Sequence, residues 1–152
     1  MTKKVNKVQT KKYDQDNEVI KILSVFILGL LVPILLVPMA KTIGRTEILE
    51  EAAKALLVLF LVLSFDGFWK KILVAISLGF LFGISENFLY LYGIMQAGKT
   101  NAFEQRMLLS LPLHILTFVI ITLSAVRKKW LIIMGVSIAI ILHIIFNLFV
   151  VA

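Results

Sequence analysis

Six polar side chains lie within or at the edge of long apolar stretches of the chain: Glu50, Glu51, Glu86, His114, His143 and Asn147. Ionisable groups cost free energy in a hydrocarbon core, so they are seldom found there without a functional or pairing role. A carboxylate can take a proton from water, and an imidazole or a carboxamide can donate a hydrogen bond to an oxyanion. This set of residues therefore predicts a catalytic site built within a membrane.

Glu50, Glu51 and Lys54 form the string E-E-x-x-K. Two adjacent carboxylates beside a cation can keep one of the two ionised, as a base that activates water. The alternative is structural, because acidic residues are favoured at the start of a helix and Glu50 would pair with Lys54 at i,i+4.

Glu86 lies well inside an apolar helix, with Tyr90 one turn further along the same face. Gly79 and Gly83 predict close contact with a neighbouring helix, which would turn Glu86 toward protein rather than lipid. A purely structural carboxylate, paired with Lys54 or a histidine, is the alternative.

Two histidines occur in the last two apolar stretches. His114 follows Pro112, and His143 is followed by Asn147 in the pattern H-x-x-x-N. The i,i+4 spacing puts His143 and Asn147 on one helix face, where both can donate to a developing oxyanion. A lone histidine in a membrane is often only an interhelical hydrogen-bond partner.

A zinc ion is the alternative to a metal-free site. Two histidines and a glutamate are an acceptable ligand set for zinc. The string H-E-x-x-H is absent, however, and each ligand would come from a different helix, so the spacing does not favour a metal. The sequence by itself requires no cofactor.

The elements that position these residues are transmembrane helices. The chain of 152 residues is 60% hydrophobic, and its mean hydropathy is +0.97. A soluble domain of this length could not bury so much apolar surface, so we predict an all-α polytopic bundle. The five predicted spans cover residues 19–40, 48–65, 72–92, 107–126 and 130–152. Pro33 and Pro38 are expected to kink or end the first span.

Residues 1–18 are predicted to form a basic cytoplasmic tail, and residues 19–152 a single transmembrane domain. The chain has no cysteine, which excludes disulfides and thiolate metal sites.

The loop charges predict the orientation of the bundle. Ten Lys and Arg residues fall in the tail and loops on the N-terminal side, against four on the opposite side. The positive-inside rule then places the N-terminus in the cytoplasm and the C-terminus outside.

With this topology, the six polar residues come to similar heights. Counting about 1.5 Å per residue from the predicted span ends puts all of them within about 14 Å of the outer membrane boundary. The predicted site therefore lies in the outer half of the membrane.

Taken together, the polar motifs resemble those of the PrsW family of intramembrane proteases, within the wider superfamily of CAAX prenyl proteases and bacteriocin-processing enzymes. The resemblance covers about residues 46 to 150. It rests on E-E-x-x-K, on G-x-x-F-G-x-x-E-N-x-x-Y (Gly79, Phe82, Gly83, Glu86, Asn87, Tyr90), on Arg106 with Pro112-x-His114, and on His143-x-x-x-Asn147.

The resemblance implies site-one cleavage of membrane-anchored proteins, such as anti-sigma factors, near the outer face. It implies that Glu50 or Glu51 is the general base, that His143 and Asn147 stabilise the oxyanion, and that His114 helps to position the water. Lys54, Asn87, Tyr90 and Arg106 would be supporting residues. The role of Glu86 stays open, because sister families carry a histidine at this point of the motif.

The alternative functions are a CAAX-type or bacteriocin-immunity membrane protease, a non-catalytic scaffold, and a proton-coupled transporter. A transporter needs polar residues on both sides of the midplane. The inner halves of the last four spans carry almost none apart from Ser64, Ser77 and Ser124, so transport is the less favoured function.

Overall fold

The apolar stretches form five α-helices in a computed structural model, which describes residues 2–96 and 100–150, and the side chains of residues 16–39, 42–91, 95–96 and 103–149. The helices are α1 (Thr2–Ile43), α2 (Thr46–Phe60), α3 (Phe68–Gln96), α4 (Thr100–Arg127) and α5 (Ile132–Val150). Short 3-10 helices follow α2 at Val62–Ser64 and precede α5 at Lys129–Leu131. The described residues contain no strand, so the predicted all-α class is confirmed.

Four helical segments of the described chain are long and apolar enough to cross a membrane: Asp16–Met39, Phe68–Leu91, Phe103–Arg127 and Lys129–Phe149. The fifth helix, α2, has 15 residues. At about 1.5 Å per residue, α2 is shorter than a hydrocarbon core of roughly 30 Å. The bundle is therefore built from four membrane-length helices and one short helix.

The predicted second span, residues 48–65, is not one continuous helix. The α-helix ends at Phe60, and a 3-10 helix carries the chain on to Ser64. Lys21 of α1 donates a hydrogen bond from Nζ to the carbonyl of Ser64 at 2.9 Å, which satisfies an orphan acceptor at this end. Gly67, with φ +83°, then turns the chain into α3.

Neither proline ends α1, although the sequence predicted that Pro33 and Pro38 would kink or end this helix. The helix continues through Pro33 and Pro38, and it stops before Gly44, whose φ is +68°. One turn before Pro33, the carbonyl of Leu30 accepts a hydrogen bond from Ser85 Oγ of α3 at 2.6 Å. Contacts of this kind let a membrane helix tolerate an internal proline.

The tightest packing joins α3 to α4, at the glycines that predicted close helix contact. A Cβ atom on Gly79 would lie 2.6 Å from Cα of Ile115 and 2.8 Å from the carbonyl oxygen of His114. Only glycine lets the two backbones approach so closely. Around this pair, α1 packs on α3, α5 packs on α4, and α2 contacts α1, α4 and α5. The second helix is thus packed against three other helices.

Candidate active site

A cluster of charged and imidazole side chains is buried where α2, α3, α4 and α5 meet. We call it the polar cluster, and its members are Glu50, Glu51, Lys54, Glu86, His114 and His143, each less than 9% exposed. Five of the six residues predicted from the sequence lie in it. The sixth, Asn147, does not.

Glu51 is the carboxylate at the centre of the buried hydrogen bonds. Lys54 donates from Nζ to Glu51 Oε1 at 2.6 Å and to Thr117 Oγ1 of α4 at 3.0 Å. His143 of α5 lies 2.9 Å from the same Glu51 oxygen through Nδ1. A carboxylate oxygen only accepts, so Nδ1 of His143 carries the hydrogen. The Glu50–Lys54 pair of the structural alternative is not formed, because Lys54 instead pairs with Glu51 at i,i+3.

Glu86 is held by two residues of α4. Arg106 Nη2 lies 2.9 Å from Glu86 Oε1, and His114 Nε2 contacts Glu86 Oε2. The Arg106 guanidinium also stacks on Tyr90, with Cζ 3.8 Å from the ring centroid. A partner for Glu86 was expected to be Lys54 or a histidine, and the structure supplies a histidine and an arginine.

Glu50 has the fewest partners of the buried carboxylates. Its Oε2 lies 3.7 Å from His143 Nε2 and makes no hydrogen bond to any described residue. Ligand atoms of Glu50, Glu86 and His114 lie within 4.8 Å of one another. We call these three residues the metal triad, because two carboxylates and an imidazole at such distances could hold one ion.

The charges of the polar cluster and its neighbour Arg106 do not balance. Three carboxylates, those of Glu50, Glu51 and Glu86, face the two cations of Lys54 and Arg106. Both histidines can be neutral, so one negative charge is left over in a region of low dielectric. Such a charge is costly unless a proton or a cation joins it.

Asn147 and Asn87 have different positions from those that their motifs suggest. Asn147 is only half-buried, and within the described part of the chain its side chain makes no hydrogen bond. Asn87 donates from Nδ2 to the carbonyl of Gly83 at 2.7 Å and to Ser110 Oγ at 2.6 Å. Asn87 therefore joins α3 to α4, and Asn147 lies one turn beyond His143, outside the polar cluster.

Thr117 is a residue of the site that the sequence analysis did not single out. Its hydroxyl accepts from Lys54 and lies 3.2 Å from the carbonyl oxygen of His114, to which it donates. Threonine is common in apolar helices, so the residue type does not identify Thr117 as part of the site. Its position three residues after His114, on the same helix face, was the one indication in the sequence.

Replacing Thr117 with valine is expected to lower the free energy of unfolding by about 1–3 kcal/mol, because the variant leaves the buried Lys54 one acceptor short. We also expect slower proteolysis, since Lys54 holds Glu51 and Glu51 holds His143. Thermal unfolding and cleavage rates of the purified variant test both effects.

Thr122 provides the matched control. It lies on the same helix, is fully buried, and its Oγ1 has no hydrogen-bond partner among the described residues. Thr122→Val should therefore leave stability unchanged or raise it. Equal losses in the two variants would contradict a specific role for Thr117.

Carboxylates and imidazoles buried together in a bundle of membrane-length helices are the groups that an intramembrane enzyme would use. Residues 22–152 match the PrsW family of intramembrane metalloproteases, and the chain belongs to this family. It is therefore an intramembrane protease, as the resemblance in the sequence predicted. Comparisons with curated proteins and with solved structures give no match.

The residues of the site fit the metal that the family description implies. Glu50 Oε2 and His114 Nδ1 are buried without a hydrogen bond to any described residue, as unused ligand atoms would be. The excess negative charge of the site also favours a cation. The sequence could not indicate this triad, because its members come from α2, α3 and α4 and share no spacing.

Proposed function

We propose that this protein is an endopeptidase that hydrolyses a peptide bond of a membrane-anchored protein, with a divalent ion, zinc by its ligand types, held by Glu50, Glu86 and His114. The observation that carries the proposal is the convergence of ligand atoms of these three side chains within 4.8 Å, with Glu50 Oε2 left without a hydrogen bond to any described residue. When bound, zinc supplies a Lewis acid that polarises a peptide carbonyl and makes water a better nucleophile.

The chain's own residues supply the proton transfers. Glu51 fixes His143 by accepting its Nδ1–H, which leaves Nε2 as an acceptor directed toward Glu50. His143 Nε2 is thus placed to take a proton from the attacking water and to return it to the leaving amine. This is the usual logic of a base held by an orienting carboxylate. General acid–base catalysis of this kind contributes about 10²–10⁴-fold in rate.

Hydrolysis without a metal is the second candidate mechanism. The single unbalanced negative charge of the cluster can be met by one proton as well as by a cation. In that mechanism Glu50 is the base for water, because Glu51 Oε1 is already occupied by Lys54 and His143. His143 then carries the proton onward from Glu50, whose Oε2 lies 3.7 Å from Nε2.

The substrate that we propose is a single-span membrane protein, such as an anti-sigma factor, cleaved near the extracytoplasmic face. Glu86 and His143 lie nearer the C-terminal ends of their helices, and Glu50 lies near the start of α2. These ends point to the side that the loop charges assign to the outside. Water could reach the cluster from that side, with the N-terminus in the cytoplasm.

The test is cleavage of a single-span reporter by the purified protein in detergent, with and without a chelator. We expect cleavage that the chelator abolishes and added zinc restores. Cleavage that persists in the chelator would instead support the metal-free mechanism. Failure of the wild-type protein to cleave reporters with varied outer flanks would contradict the peptidase proposal.

A further inference from the structure

Arg106 lies at the edge of the polar cluster, beside an exposed side chain. Its guanidinium rests on Tyr90, which is 41% exposed, whereas Lys54 is fully buried. Arg106 uses Nη2 for Glu86, and its Nε is buried without a hydrogen-bond partner among the described residues. A group entering the site from the exposed edge would meet a cation with unused donors.

The charge balance indicates what this cation would bind. Once a divalent ion occupies the metal triad, its two charges and that of Lys54 equal the three carboxylates. The charge of Arg106 is then left without a counterpart. A guanidinium in a partly desolvated site is stabilised by an anion. Its fork of N–H donors suits the oxygens of a carboxylate or of a tetrahedral anion.

We infer that Arg106 is a catalytic residue that stabilises the oxyanion of the tetrahedral intermediate, an inference that rests on the proposed function. As the water oxygen bonds to the carbonyl carbon, the π pair of the carbonyl moves onto its oxygen, and the proton of water goes to His143 Nε2. Collapse reforms the carbonyl, breaks the C–N bond and returns the proton to the amine nitrogen. The negative oxygen is the anion that Arg106 neutralises.

The position of Arg106 supports this role better than that of Asn147. Arg106 directly contacts a member of the metal triad, because Glu86 meets Arg106 through Oε1 and His114 through Oε2. Asn147 lies one turn beyond His143, outside the polar cluster. A charged donor is also the stronger one in a dry site.

The experiment compares Arg106→Gln and Arg106→Lys with the wild-type protein, and uses Arg45→Gln, whose exposed arginine pairs only with Glu47, as the matched control. We expect Arg106→Gln to lower kcat by roughly 10²–10³-fold with little change in KM, as for loss of an oxyanion donor. Arg106→Lys should recover part of the rate, since it keeps the charge. Arg45→Gln should behave as wild type.

Two further measurements separate a catalytic role from a structural one. A phosphinic peptide built on the cleaved bond of the reporter carries a tetrahedral anion, and its affinity should fall in Arg106→Gln by about the same factor as kcat/KM. Zinc content and zinc affinity should be retained, because Arg106 is not a ligand and its loss frees Glu86.

Weakened zinc binding together with unchanged affinity for the phosphinic peptide in zinc-saturated protein would overturn the inference, since Arg106 would then only orient Glu86. An unchanged kcat in Arg106→Gln would overturn it while leaving the peptidase function intact. Absence of wild-type cleavage would overturn both proposals.

Discussion

Replacing Glu50 with glutamine is expected to lower the rate of reporter cleavage by at least about 10²–10⁴-fold while leaving the protein folded. The amide has the shape of the carboxylate but lacks its charge, so it is a poor metal ligand and a poor base. Because Glu50 Oε2 is buried without a hydrogen bond to the described residues, its charge is a cost to the folded state. We therefore expect the melting temperature of Glu50→Gln to hold or rise.

Two glutamates provide the comparison for Glu50. Glu104→Gln changes an exposed side chain of α4 and should leave cleavage unaltered. Glu51→Gln should lose both activity and stability, because it leaves the buried Lys54 without its anionic partner.

The zinc content of the Glu50→Gln protein distinguishes the two mechanisms. Loss of zinc indicates that Glu50 is a metal ligand, and retained zinc with lost activity indicates that Glu50 is the base. A Glu50→Gln protein that cleaves at the wild-type rate would refute both roles.

Replacing Lys54 with methionine should destabilise the bundle by about 3–5 kcal/mol, the usual effect of removing one partner of a buried ion pair. The ammonium and Glu51 are both fully buried, and Lys54 Nζ lies between the rings of Phe82 and Phe118. In the variant, Glu51 keeps only His143 as a donor. Thermal unfolding in detergent, compared with that of the exposed-site variant Lys128→Met, measures the effect.

The double variant Lys54→Met/Glu51→Gln separates the stability of this pair from its function. Without either charge, most of the lost stability should return, because no unpaired ion remains buried. Cleavage should stay slow, because a neutral amide cannot stabilise His143 when its ring carries a proton. Recovery of both stability and activity would show that the pair has no role in orienting His143.

The convergence of Glu86, His114 and His143 could be predicted from the sequence, and their individual contacts could not. Counting along each apolar stretch brought Glu86, His114 and His143 to one level, because helical rise is nearly constant. Which of two adjacent carboxylates faces which neighbour depends on the rotation of α2, and this is set by packing against other helices. Glu51 Oε1 consequently meets Lys54 and His143, and Glu50 Oε2 is left without a hydrogen bond to the described residues.

Other differences have the same physical origin. Asn147 shares a helix face with His143, but one further turn carries it out of the cluster. After the break in the predicted second span at Phe60, the Ser64 carbonyl accepts a hydrogen bond from Lys21 of α1, a donor that is distant in sequence. The close approach of α3 and α4 was predictable, because Gly79 and Gly83 are a local signal for contact between membrane helices.

The short helix α2 has a consequence for how the protein assembles. It carries three charged residues that are buried only because α3, α4 and α5 surround them. Each such charge alone disfavours entry of a helix into lipid by about 2.5–3.5 kcal/mol. The hydrophobicity of α2, which is synthesised before α3, is therefore not enough to insert it stably into lipid. We therefore expect α2 to enter the bundle only when later segments are present, so that its insertion follows theirs.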